Sequence, residues 1–224
     1  MMEKNTVFDM LGKCAALWCN ADADGGDLAR VTDFLNEKKL TDISVVPDSV
    51  ATVWPWVENT QVKILARFYL PNKKVSEKQI SDVTVRINNV FKRGAHGAQI
   101  FLPYVALGDL VEQTHVVRDD LFFNKDLVVG IDVADIDVFE WDNLFEKLRK
   151  INASALMLVL TRDNGDRSDF VGRIYAMLNA WKSENKFDLH FAFGPNFMRI
   201  EQTIRLIESM QPGLINNARF FVNA

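Results

Sequence analysis

The feature that most constrains the fold of this chain is a short apolar segment, Gly97–Leu102, which lies between two helical segments and is followed at once by Pro103. Such a short and almost wholly apolar segment is typical of a buried β-strand. Gln99 is its only polar side chain. A polar group inside an apolar strand costs free energy unless it is hydrogen-bonded or takes part in function. Gln99 is therefore a candidate for a functional site.

The same plan of a short apolar strand and an amphipathic helix recurs along the whole chain. Strands that are apolar along most of their length and alternate with helices are typical of a parallel sheet covered by helices. Right-handed crossovers repeated in this way close the sheet into a barrel. We therefore predict a single α/β domain over residues 1–224, a parallel eight-stranded (TIM) barrel. The predicted strands span residues 15–19, 43–46, 63–70, 97–102, 127–133, 155–161, 189–194 and 219–222.

Two points leave alternatives open within this fold class. An open, doubly wound sheet has the same alternation, but it is less favoured because no glycine-rich phosphate loop follows the first strand. The chain also stops after its last strand, so we expect a barrel truncated there, with the helix predicted at residues 6–13 or a partner subunit as its cover. The residues expected to meet at this cover are Phe8, Met10 or Leu11 on one side and Phe220 or Phe221 on the other.

Composition and charge exclude several classes of partner. The net charge is −4, from 30 acidic and 26 basic residues, and no lysine- or arginine-rich run predicts a nucleic-acid partner. Residues 1–5 lack the apolar core of a signal peptide, and no apolar run reaches the roughly 18 residues of a membrane span. Cys14 and Cys19 lack metal-site spacing, so we expect reduced thiols and a cytoplasmic location. Three scattered histidines predict no metal site, and we expect no cofactor.

Several strand ends resemble those of the deoxyribose-phosphate aldolases, a family of class I aldolases. The most specific match is Gln99–Leu107, Gln-Ile-Phe-Leu-Pro-Tyr-Val-Ala-Leu, which resembles that family's Asp-Val-Val-Phe-Pro-Tyr-Arg-Ala-Leu. Ile43–Pro47 resembles its Val-Cys-Val-Tyr-Pro strand, and Phe68–Pro71 resembles its Thr-Asn-Phe-Pro. Ile131–Val133 stands where the family has Ile-Glu-Thr, and Phe191–Gly194 stands where it has Phe-Lys-Pro-Ala. The resemblance covers nearly the whole chain and implies a TIM barrel with lyase-like aldol chemistry.

The residues that carry this chemistry are, however, replaced. The family forms a Schiff base with an unprotonated lysine inside the barrel, and a second lysine lowers the pKa of the first by like-charge repulsion. The resemblance places Val159 at the first lysine, Ala192 at the second and Gln99 at the proton-transferring aspartate. Lys125 and Lys186 precede their strands, at the end of the barrel where this fold does not place chemistry. Schiff-base chemistry is therefore not expected, and this divergent active site leaves it uncertain whether the protein is an enzyme.

Polar side chains toward the C-terminal ends of the strands form the predicted site. Alternation along the strands places Ser44 and Gln99 on the inward face, and the family's register adds Asp132. We predict Gln99 and Asp132 as the catalytic residues. The predicted substrate-binding residues are Ser44, Tyr69, Thr161 and Arg162. The alternative is that Gln99, Asp132 and Thr161 satisfy one another's hydrogen bonds in a packed core.

Two classes of function stay open. One is an enzyme of altered chemistry that acts on or binds a small sugar-like or carbonyl metabolite at the C-terminal mouth. It would use Asp132 as acid/base and Gln99 as hydrogen-bond donor, and the Asp132 pKa would be raised unless Arg67 or Arg162 paired with the carboxylate. The other is a catalytically silent binding or interaction module, because this fold hosts many activities. A mouth filled by Phe101, Phe193 and Phe197 would favour the silent module, and a homo-oligomer stays open in both classes.

Overall fold

The strands of this protein form a closed barrel in which every neighbouring pair is parallel, β1 with β8 included. The structure is a computed structural model that describes residues 8–114, 124–160, 167–194 and 197–223. The predicted fold class, a parallel eight-stranded TIM barrel, is confirmed. The strands are β1 (Ala15–Trp18), β2 (Asp42–Val45), β3 (Lys63–Tyr69), β4 (Gly97–Phe101), β5 (Asp126–Asp132), β6 (Ala155–Val159), β7 (Asp188–Ala192) and β8 (Ala218–Asn223).

Helices connect the strands. Two of these helices have a side-chain cap at the N-terminus. Asp24 accepts a hydrogen bond from the backbone of Asp27 at the start of the first helix, and Ser76 does the same for Gln79 at the third. Such caps satisfy backbone N–H groups that have no partner within the helix. No helix in the described ranges is both long and apolar enough to cross a membrane. The helices are α1 (Gly25–Lys38), α2 (Val50–Val57), α3 (Glu77–Lys92), α4 (Leu107–Thr114), α5 (Trp141–Lys150), α6 (Arg167–Ala180) and α7 (Phe197–Met210).

Alternation along each strand divides the side chains between two apolar layers. On β3, Ile64, Ala66 and Phe68 belong to the layer shared with the helices, whereas Leu65 belongs to a separate cluster inside the barrel. Successive residues of a strand point to opposite faces, which explains this division. The interior cluster consists of Ala16, Leu65, Phe101, Val128, Ala155, Met157, Ala192 and Phe221, with Trp18 and Val159 against it.

Phe220, on the outer face of the last strand, is buried. It stacks on Phe191 of β7, with ring centroids 4.9 Å apart. Phe8 and Leu11, from helical residues at 8–11, are also buried, and the ring of Phe8 packs edge-to-face on Phe34 of α1 at 4.9 Å, so their role as the cover of β8 stays a prediction. Met10 is instead 38% exposed, and residues 6 and 7 of the predicted helix lie outside the described ranges. Phe221 needs no cover because it points into the barrel.

Candidate functional site

The two polar residues predicted inside the barrel, Ser44 and Gln99, are hydrogen-bonded to each other. The Ser44 hydroxyl donates to Gln99 Oε1 at 2.5 Å, and Gln99 Nε2 lies 3.9 Å from the sulfur of Met157. Both polar side chains are fully buried. An unsatisfied polar group here would cost about 1–3 kcal/mol, so the pair stabilises the interior. This is the kind of contact that the packed-core alternative predicts for Gln99, although its partner is Ser44 rather than Asp132.

Phe101 lies across the interior on the mouth side of Gln99. Its ring stacks on Tyr69 of β3 at 5.1 Å and meets Trp18 of β1 edge-on at 5.6 Å. Because β1 and β4 are not neighbours in the sheet, the Phe101–Trp18 contact spans the barrel. Gly130 on β5 makes room for the ring, since a Cβ there would lie 2.3 Å from it. We call Trp18, Tyr69 and Phe101 the aromatic layer, and it separates Gln99 from the mouth.

Phe193, which a silent module would place in the mouth, does not join the aromatic layer. Phe193 packs edge-to-face on Phe170 of α6 at 4.9 Å and lies 5.5 Å from Phe191, within the layer shared with the helices. Phe193 therefore does not fill the mouth, and this part of the pattern that would favour the silent module is not found. The side chain of Phe197 lies outside the described residues.

Asp132 ends β5 at the mouth and caps the short 3₁₀ turn Val133–Asp135. Its half-buried carboxylate accepts a hydrogen bond from the backbone N–H of Ala134 at 3.0 Å. Its Cα is paired in register with that of Val159 on β6. A carboxylate in this capping position stabilises the turn whether or not it has a second role. Asp132 thus accepts from the backbone of its own turn, whereas the Gln99 side chain accepts from Ser44.

The structure describes two of the four predicted substrate-binding residues, Ser44 and Tyr69. Ser44 is buried beneath the aromatic layer, whereas Tyr69 is 58% exposed at the end of β3. Thr161 and Arg162 follow β6 and lie outside the described residues, so their substrate contacts stay predictions. The structure thus joins Ser44 with Gln99 and places Asp132 and Tyr69 at the strand ends around the mouth.

Arg67, which the sequence suggested as a partner for Asp132, is the most unusual side chain near the mouth. It is 2% exposed, and its guanidinium lies 4.3 Å from the centre of the Trp18 ring. Nη2 donates a short hydrogen bond to the carbonyl oxygen of Cys19, just past the end of β1. Nε and Nη1 are buried and have no hydrogen-bond partner in the described part of the chain.

Burial and nearby groups act on the charge of Arg67 in opposite directions. Burial lowers its pKa, while Tyr69 and Cys19 raise it. An arginine keeps its proton in proteins even so, because the guanidinium group is a very strong base. The mouth therefore holds a permanent cation against the aromatic layer. The sequence already indicated that Arg67 is unusual, because it is a charged side chain at an inward position within the apolar run Ile64–Phe68.

The positions that the resemblance assigns to the two lysines are apolar and lie side by side. Val159 on β6 and Ala192 on β7 are paired in register near the strand ends. Ala192 belongs to the interior cluster, and Val159 packs against it. Neither side chain has a nitrogen that could form an imine.

No protein-family model and no curated protein matches this sequence. Solved structures match it by fold. The deoxyribose-phosphate aldolase of Aeropyrum pernix, described as a unique tetrameric structure, matches with a TM-score of 0.70 and 10% identity over 98% of this chain and 88% of that one. A Toxoplasma gondii protein assigned as a deoxyribose-phosphate aldolase matches with a TM-score of 0.71 and 12% identity, over 99% and 91% of the two chains. The predicted resemblance is confirmed at the level of the fold.

A different enzyme shares the same fold with this chain. The carboxyl transferase domain of Rhizobium etli pyruvate carboxylase matches with a TM-score of 0.60 and 12% identity, over 99% of this chain and 42% of that one. Since unlike chemistries occur on this barrel, the likeness supports an aldolase-like architecture, and the function has to be argued from the site itself.

Proposed function

We propose that the C-terminal mouth binds a small anionic metabolite, a sugar-like or carbonyl compound that carries a carboxylate or phosphate, without Schiff-base chemistry. The observation that carries this proposal is Arg67, a buried cation with two unbonded guanidinium nitrogens among the described residues. An anionic oxygen at the mouth would accept from these nitrogens and neutralise the charge.

The energetics of burial favour such a ligand. A buried donor without an acceptor costs about 1–3 kcal/mol, and a buried charge without a counter-ion costs more. Hydrogen bonds between a guanidinium and a carboxylate or phosphate are among the strongest in proteins. The bond to Cys19 and the ring of Trp18 already hold Arg67 in place, so little ordering of this side chain would remain to oppose binding.

The residues around the mouth support binding more strongly than aldol cleavage. Val159 and Ala192 have no amine for a Schiff base, and Gln99 is bonded below the aromatic layer. If turnover accompanies binding, we propose Asp132 as the acid/base. Contacts to the ligand would come from Tyr69, Thr161 and Arg162, with Ser44 and Gln99 as supports beneath them.

A catalytically silent interaction module is the second candidate, and one observation favours it. The aromatic layer occupies the centre of the barrel on the mouth side of Gln99. In that case Arg67 stabilises packing against Trp18 and no small anion binds there. The two candidates therefore differ in whether Arg67 contributes to anion binding.

Isothermal titration with a set of related compounds tests the proposal. Inorganic phosphate, pyruvate and deoxyribose 5-phosphate are compared with deoxyribose, which is neutral. We expect at least one anion to bind and deoxyribose not to bind. Replacement of Arg67 by Met should weaken anion binding at least about 30-fold, because it removes one partner of a buried charged hydrogen bond.

Arg86→Met is the matched control. Arg86 on α3 also lies over an aromatic ring, that of Phe68 at 5.5 Å. Unlike Arg67, however, it is exposed. This variant should bind the anion as the unchanged protein does. Equal losses in both variants, or no binding of any anion, would favour the silent module.

We also propose a homo-oligomer, since the Aeropyrum pernix structure is described as tetrameric. Sedimentation velocity at two protein concentrations measures the mass in solution. A monomer at both concentrations would contradict this part of the proposal. The expected cytoplasmic location stays a prediction.

A further inference from the structure

A polar cavity lies at the N-terminal end of the barrel, opposite the mouth. Its volume is about 280 Å³. Most of its lining comes from the first residues of the strands, so it lies at the far end from Arg67 and the aromatic layer. The residues that line it are Thr41, Asp42, Gln61, Lys63, Leu65, Asp126, Val128, Ser154, Ala155, Asp188, His190 and Arg219.

Two ion pairs hold the rim of this cavity together. Lys63 Nζ lies 2.8 Å from the carboxylate of Asp126, and Arg219 Nε lies 3.4 Å from that of Asp42. Each pair joins strands that are not neighbours, β3 with β5 and β8 with β2. The pairs therefore reach across the end of the barrel, and each uses one cation and one carboxylate.

Asp188 is the third carboxylate of the cavity, and it belongs to neither ion pair. Lys63 and Arg219 act on it from a distance, but its side chain makes no hydrogen bond or ion pair with another described residue. Burial is the main influence on Asp188 and raises its pKa. The lining thus contains three carboxylates and two cations, and the excess negative charge lies at β7.

His190 gives the second, independent indication of a ligand. It is 6% exposed, and its Nδ1 is buried without a hydrogen-bond partner in the described part of the chain. Burial and the nearby Arg219 lower its pKa to about 3, so the ring is neutral near pH 7. It lies two residues from Asp188 on the same inward face of β7, with its ring 5.3 Å from that of Phe221.

The inner wall of the cavity is apolar. Leu65, Val128 and Ala155 line it and also belong to the interior cluster. A ligand that fits must therefore combine a short apolar part with a polar end. Among the described residues no group of three metal-ligating side chains converges, which favours an organic cation over a metal ion.

We propose that this cavity binds a small aliphatic primary amine in its ammonium form. The ammonium group would donate to Asp188, and the carbon chain would lie on Leu65, Val128 and Ala155. His190 would contact the ligand beside Asp188. This site is separate from the anion site proposed at the mouth.

Thermal unfolding of the intact protein provides the first test. n-Propylammonium chloride is compared with 1-propanol and sodium propionate at constant ionic strength. We expect only n-propylammonium to raise the melting temperature, because a neutral or anionic end gains nothing from Asp188. Asp188→Asn should weaken the apparent affinity for the amine about 10- to 100-fold, the size expected for a hydrogen bond between charged groups.

Asp33→Asn is the control, since Asp33 is exposed on α1 and does not line the cavity. It should leave the response to n-propylammonium unchanged. Equal stabilisation by propionate or propanol would overturn the proposal. So would an unchanged affinity in Asp188→Asn, or the absence of any response to the amine.

Histidine NMR of the unchanged protein tests the proposal without reliance on the stability of Asp188→Asn. The Cε1–H resonance of His190, assigned with His190→Gln, should shift as n-propylammonium is added. His96 is the internal reference, because its Nδ1 accepts from the backbone of Ile64 and it does not line the cavity. A shift of His96 without one of His190 would show binding elsewhere and contradict the proposal.

Discussion

At the C-terminal mouth a single buried cation, Arg67, lies against aromatic rings, whereas at the N-terminal end five charged side chains surround a cavity. The carboxylates at the N-terminal end include Asp126 and Asp42, which are paired with cations. Arg67 has a carbonyl oxygen and the Trp18 ring as its described contacts. Among the described residues, the two ends therefore differ in which charge lacks a counter-ion.

This difference indicates opposite ligand preferences at the two ends. A cation without a counter-ion favours an anionic ligand, and a carboxylate without one favours a cationic ligand. In a TIM barrel the mouth is the usual place for chemistry, while the N-terminal end usually serves stability. Ion pairs that cross between non-neighbouring strands, such as Lys63 with Asp126, agree with that stabilising role.

The largest expected effect concerns the pH dependence of stability at His190. Its pKa is lowered from 6.5 in the unfolded chain to about 3 in the fold. The unfolded state therefore binds the proton first, and stability is lost as pH falls from 6.5 toward 3. We expect this residue to account for roughly 3 kcal/mol of the loss between pH 7 and pH 4. Urea unfolding at several pH values measures it.

His190→Gln supplies the comparison for this prediction. Glutamine does not titrate, so the variant should lose less stability between pH 7 and pH 4 than the unchanged protein. If both lose the same amount, His190 is not the group responsible, and the neutral imidazole described at the cavity is wrong.

The next effect concerns the aromatic layer at the mouth. Gly130→Ala places a Cβ 2.3 Å from the Phe101 ring, and we expect a loss of about 1–3 kcal/mol in the free energy of unfolding from overpacking. Gly172→Ala in α6 is the control, because nothing lies within 4 Å of its Cβ. That change should be neutral or stabilising, by up to about 1 kcal/mol. A neutral Gly130→Ala would mean that Phe101 has space to move.

A smaller effect of the opposite sign is expected at Arg67. Without ligand, Arg67→Met replaces a buried cation, two of whose nitrogens have no hydrogen-bond partner among the described residues, by an apolar side chain. We expect the variant to gain about 1 kcal/mol in stability while it loses anion binding. Chemical denaturation of the ligand-free protein measures the gain, and a clear loss of stability would show that the Trp18 contact outweighs the cost of burial.

The smallest effect is expected at Asp188. Its pKa is raised mainly by burial, so folding favours its protonated form and stability falls as pH rises through its pKa range. Asp188→Asn should remove this dependence and slightly raise the melting temperature at pH 7, with less change at low pH. A lower melting temperature at pH 7 would indicate that the carboxylate has a stabilising partner after all.

The sequence alone determined the barrel, because the evidence for it is local and repeated. The strands are short and mostly apolar, and those before the last are followed by helices such as α1, capped by Asp24, and α3, capped by Ser76. One misjudged end, such as Phe193 beyond β7, does not change that pattern. The side-chain period of two also placed Ser44 and Gln99 inside the barrel.

Only the tertiary structure decided what the inward residues contact. Alternation shows that Gln99 points inward, but its bond to Ser44 depends on the stagger of β2 against β4. The position of Arg67 against Trp18, and of Asp188 beside His190 at the opposite end, depends on strands distant in sequence. Local pattern sets which face a side chain occupies, whereas the closure of the barrel sets its neighbours, and a charge keeps or lacks a counter-ion according to those neighbours.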